Sequence, residues 1–73
     1  MLTVHDAIIE IEKTYGEGLV EISGPHELEP KDIERATRLE GFDCSPFDHC
    51  YDFKEEHVAF YPIRIGGYLK ASY

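Results

Sequence analysis

A chain of 73 residues has room for one hydrophobic core, and a 42% hydrophobic fraction with five Tyr and four Phe is too apolar for a disordered acidic tail. Fifteen acidic residues against seven basic ones give a net charge of −8, which repels free nucleic acid and anionic membrane and favours basic surfaces as partners. No run approaches the roughly 18 apolar residues of a membrane span, and residues 1–6 lack the basic start and apolar run of a secretion signal. The expected address is therefore cytoplasmic, with Cys44 and Cys50 reduced.

The first predicted element is a helix over residues 4–15. Thr3 stands at the cap with Asp6 three residues on, and Val4, Ala7, Ile8, Ile11 and Tyr15 recur at helical spacing until Gly16. Leu19, Val20, Glu21 and Ile22 then read as a short strand ending at a Ser23-Gly24-Pro25 turn. A second helix is predicted from Pro30, a first-turn proline, through Glu40 to Gly41. Its apolar stripe is thin (Ile33, Ala36, Thr37), and Glu34 and Arg38 are spaced for an ion pair. Residues 42–53 show no clean period and read as a loop that folds over the core, because Phe42, Phe47, Tyr51 and Phe53 carry too much apolar area to leave in water. Residues 57–65 and 68–73 read as a hairpin about Gly66-Gly67, with Pro62 at an edge or a bulge and the last strand at a sheet edge. The expected fold is one acidic α+β domain over residues 1–73, order α-β-α-β-β: a three-stranded antiparallel sheet with two helices packed on one face.

Chemistry-bearing residues concentrate in Asp43, Cys44, Asp48, His49, Cys50, Asp52 and His57. A zinc site from Cys44, His49, Cys50 and His57 is the alternative to a binding role, although five residues separate the cysteines and adjacent His49 and Cys50 are poorly placed to reach one ion. A calcium loop fails because its acids are too widely spaced and no Gly lies between Gly41 and Gly66. The pair His49-Cys50 resembles the start of a cysteine-phosphatase loop, but Glu56 stands where that loop needs Arg. Nearby carboxylates disfavour a thiolate, and no Gly-Lys-Ser/Thr phosphate motif is present. No catalytic residue and no cofactor is expected.

Two surfaces suit binding instead. Glu27, Glu29, Asp32, Glu34, Glu40 and Asp43 form an acidic face around the second helix, suited to a basic groove on a partner that otherwise holds nucleic acid. Phe60, Tyr61, Tyr68 and Tyr73 exceed what one face of a small hairpin can bury, and suit a partner or a homodimer paired along the last strand. In size, charge and tyrosine content the chain resembles phage-encoded or mobile-element inhibitors of host nucleases; the resemblance rests on no motif. The expected function is a non-enzymatic protein-binding module, an acidic inhibitor of a basic, nucleic-acid-binding partner, with self-association as a third reading. Charge is polarised, −10 over residues 1–56 and +2 over residues 57–73.

Overall fold

The computed structural model describes residues 1–39 and 49–73. These residues form a five-stranded, wholly antiparallel sheet in the order β1-β5-β4-β3-β2, not three strands under two helices. The elements are α1 (Val4–Tyr15), β1 (Glu21–His26), a short α2 (Pro30–Arg35), β2 (Thr37–Leu39), β3 (Cys50–Phe53), a 3-10 turn (Lys54–Glu56), β4 (Val58–Pro62) and β5 (Tyr68–Ser72).

Helix α1 matches its sequence signals. The Asp6 amide donates to Thr3 Oγ1 at 3.1 Å, and the Gly16 amide closes the last turn on the Glu12 carbonyl at 2.8 Å. Ala7 and Ile11 are fully buried against Cys50, Ala59, Tyr61, Ile63, Leu69 and Ala71. Small residues at the crossing, Ala7 on the helix and the paired Ala59 and Ala71 on β4 and β5, let the helix lie close to the sheet. Leu2 extends this layer, its backbone bonding to Pro62 and Arg64 in a parallel bridge opposite Ile63, while Ile9 remains exposed.

The second helix is half as long as predicted. Ala36 already has extended dihedrals (φ −83°, ψ 151°), and Thr37–Leu39 pairs with β3 as an edge strand. The thin stripe of Ile33 and Ala36 leaves α2 without a fully buried residue, and local propensity yields to the ladder on offer at β3. Arg38 therefore sits on β2 opposite Tyr51, and its helical spacing from Glu34 is lost.

Some of the expected aromatic loop is also strand. Cys50–Phe53 shows no two-residue alternation because all four residues are buried, so both faces of β3 are covered. The rest of that loop, residues 42–48, lies outside the described residues. Strand β1 continues through the expected turn at Ser23-Gly24-Pro25, absorbing it as a register shift between Ser23 and His26.

The hairpin is present with a longer connection than two residues. Ile63 and Gly66 close a turn through Gly66 N–H to the Ile63 carbonyl at 3.0 Å, and Ile63 N–H reaches the Gly67 carbonyl at 3.1 Å. Pro62 lies past the last β3 partner of β4, so its missing N–H interrupts no bond on that side. Strand β5 pairs with β4 on one side and β1 on the other, so it is interior; β1 and β2 are the edges.

Candidate functional site

Alternation along the strands divides the sheet into two surfaces. The registers Ala59↔Ala71, Tyr61↔Leu69 and Asp52↔Ala59 place these residues under α1. The registers Tyr51↔Phe60, Phe53↔Val58 and Phe60↔Lys70 place the others on the opposite face.

The α1 side holds a tyrosine column. The rings of Tyr15 and Tyr73 stack at 4.5 Å with planes 16° apart, and the Tyr73 hydroxyl donates to Asp52 Oδ1 at 2.5 Å. Tyr61 is fully enclosed beside them. Loss of water around the phenol and its bond to the Asp52 carboxylate push Tyr73 up to about 12. Burial first, with the neighbouring Tyr61, raises Tyr15, and burial raises Tyr61. The column is a packed, neutral structure.

The opposite face is aromatic and carries the acidic crossover. Phe60 meets Phe53 edge-on at 5.4 Å, Tyr68 at 6.5 Å and His26 at 6.4 Å, and Tyr51 meets Tyr68 at 6.0 Å. From His26 the chain crosses this face through Glu27, Leu28 and Glu29, with Leu28 and Ile33 half-buried as anchors. Pro30 starts α2, which projects Arg35 back toward the sheet. Its guanidinium lies 5.2 Å from the centre of the Phe53 ring, 2.8 Å from Glu56 Oε1 and 3.6 Å from Asp32 Oδ1. The hydrogen bond and charge of Glu56, with a smaller contribution from Asp32, hold the Arg35 proton more tightly than usual.

Two clefts flank this contact. One of about 250 Å³ runs past His26, Glu27, Leu28, Asp32 and Lys70 over Phe60; the other, about 400 Å³, runs past Thr37, Asp52, Lys54 and Glu55. Arg35, Phe53 and Glu56 line both.

The predicted acidic face is thus partly assembled. Glu27, Glu29 and Glu34 are exposed and Asp32 half-buried on one crossover, whereas Glu40 and Asp43 lie outside the described residues. The hairpin aromatics separate: Phe60 and Tyr68 lie on the crossover face, Tyr61 is inaccessible under α1, and Tyr73 packs on Tyr15. Among the described residues the alternative metal ligands do not gather either. Cys50 is buried at the start of β3, while His57 is exposed beyond its other end, about 10 Å along the strand at the usual rise. His49 is half-buried, Cys44 lies outside the described residues, and no group of three or more His, Cys, Asp or Glu suited to a metal forms among the described residues.

Sequence reasoning does not reach Arg35, Phe53 and Glu56 as a unit, since 21 residues separate Arg35 from Glu56 and only the strand order brings them together. The local signal in the sequence is only the spacing of Asp32 and Arg35 for an i,i+3 pair; the contacts with Phe53 and Glu56 leave none. Among the described residues no helix is long and apolar enough to cross a membrane. Comparison with protein-family models, with curated proteins and with solved structures finds no match to this chain.

Proposed function

We propose that this chain is a non-enzymatic protein-binding module that uses its acidic crossover to occupy a basic, nucleic-acid-binding surface of a partner protein. The observation that supports this reading is the density of carboxylates on one surface: Glu27, Glu29, Asp32 and Glu34 along the crossover, with Glu55 and Glu56 on the adjoining 3-10 turn. Lys31 and Arg35, the cations of residues 27–35, are already engaged by Glu29 and by Glu56 and Asp32. Lys54 and Lys70 also line the clefts, so these six carboxylates stand against four cations and the surface keeps a modest excess of negative charge over an aromatic floor, a pattern that steers a basic partner and supplies flat apolar area on contact. A partner that normally holds phosphates presents the matching groups. An inhibitor of a nucleic-acid-binding protein, of the kind mobile elements encode, fits this chemistry.

The test is affinity capture from the native host followed by stopped-flow association with the captured protein at low and high salt. A basic partner whose on-rate falls about tenfold or more between low and high ionic strength, and which releases a labelled duplex when this protein is added, supports the proposal. An on-rate indifferent to salt, or retention of the duplex, overturns it.

A further inference from the structure

Arg35 sits between the two clefts and touches what a visiting guanidinium would need. Its planar cation lies against the Phe53 ring, with Glu56 at 2.8 Å and Asp32 at 3.6 Å at its edges. A ring below and two carboxylates at the rim suit arginine better than lysine, because the guanidinium is flat, weakly hydrated and able to bond two acceptors at once. The two clefts share Arg35, Phe53 and Glu56 as a common wall. Arg35 thus stands over Phe53 where the two clefts meet, with Glu27 along one cleft and Glu55 along the other.

We propose that Arg35 is an internal stand-in for an arginine of the basic partner: it fills a guanidinium-receiving site on Phe53, Glu56 and Asp32, and is displaced when the partner docks. The inference rests on the binding reading above and adds the partner's recognised group. Arg35 is suited to leave. Its side chain is 54% exposed, it is the last residue of a six-residue helix with no buried residue, and exposed ion pairs are weak tethers. A partner arginine gains the same three contacts and carries its flanking backbone into the clefts on either side. Meanwhile the internal occupant shields the ring and carboxylates from isolated cations, so that only a ligand spanning both clefts displaces it. Specificity then comes from competition with the chain itself.

The test titrates a fluorescein-labelled peptide of alternating glycine and arginine into the wild type and variants at physiological ionic strength, following anisotropy together with the Phe53 ring resonances. Lys31→Ala is the control, since it removes one positive charge from the same helix without touching the ring. Arg35→Ala is expected to bind about tenfold more tightly than Lys31→Ala, the gain left when an internal competitor is removed. Adding Glu56→Gln or Phe53→Leu to Arg35→Ala removes that gain, and a lysine peptide binds more weakly than the arginine one. Arg35→Gln, which keeps the length of the side chain, guards against a folding defect in Arg35→Ala, and thermal melts verify both. Equal affinities for the Arg35 and Lys31 variants, or peptide binding that leaves the Phe53 resonances unmoved, overturns the assignment of Arg35 while leaving the acidic-surface reading standing. Absence of peptide binding in every variant, together with a salt-indifferent partner, overturns both.

Discussion

Tyr73 couples β5 to α1 and β3 through its side chain. Its ring stacks on Tyr15 and its hydroxyl donates to Asp52, a carboxylate only 6% exposed. Removing the hydroxyl in Tyr73→Phe takes a donor from that buried acceptor and should cost about 2 kcal/mol in urea denaturation at neutral pH. The same contacts set an alkaline limit. The folded state favours the neutral phenol, so the folded value of about 12 exceeds the unfolded value near 10. The contribution of Tyr73 to stability is therefore complete below about pH 10 and is lost as pH rises through about 12. Tyr15 and Tyr61 are raised in the same direction and add to the fall. Thermal melts should show a stability decline across that window, shallower in Tyr73→Phe. Absorbance titration at alkaline pH should show Tyr15, Tyr61 and Tyr73 ionising late, and ordinary titration of all three would contradict the packing described. Of these residues only the helical position of Tyr15 is legible in the sequence; the meeting of Tyr73 with Asp52 depends on a contact across 21 residues.

At the scale of elements, the sheet depends on close backbone approach where β1 crosses β5. A Cβ on Gly24 would lie 2.8 Å from the Tyr68 carbonyl oxygen and 3.2 Å from Leu69 Cα, at a φ of 150°. Gly66 also has a positive φ, 104°, but its Cβ would enter open space. Gly66→Ala should therefore cost only conformational strain, about 1 kcal/mol, whereas Gly24→Ala must also push β1 away from β5 and should cost roughly 3 kcal/mol or more. Chemical denaturation of the two variants checks the difference, and equal losses would mean that β1 is not seated on β5 as described. Elements with strong local signals are the legible ones. Thr3, Asp6 and Gly16 bracket α1, and a hairpin flanks Gly66-Gly67. Elements whose signal depends on their surroundings are not: β3 hides its alternation because it is covered on both faces, and β2 borrows its strand character from β3.

For the molecule as a whole, charge and topology pull in different directions. A net charge of −8 on 73 residues makes the folded state repel itself, and screening relieves that repulsion. Raising sodium chloride from about 20 mM to about 500 mM should raise the melting temperature by a few degrees, on the order of 5 °C, given how steeply small domains respond to each kcal/mol. A melting temperature that falls over this range would mean that the ion pairs around Arg35 outweigh the general repulsion. The hairpin that looks in sequence like a free pairing edge is enclosed, because β1 adds to β5 on its open side. Strand-to-strand association among the described residues is thereby confined to β1, which carries Pro25 and a register shift, and to the three-residue β2. Both are features that discourage edge pairing.

Local and summed properties are written in the order of residues alone: a capped first helix, a C-terminal hairpin, one core, and an excess of negative charge concentrated ahead of residue 57. These follow from nearest neighbours and from counting, and neither requires knowledge of the strand order. Long-range pairing is what gives the sheet five strands among the described residues, divides the hairpin aromatics between two faces, and brings Arg35 to Phe53 and Glu56 between two clefts. Those outcomes arise because β1 and β2 cap opposite edges of one sheet, which carries the acidic crossover over its aromatic face. A pairing between distant segments of this kind leaves no period in the chain.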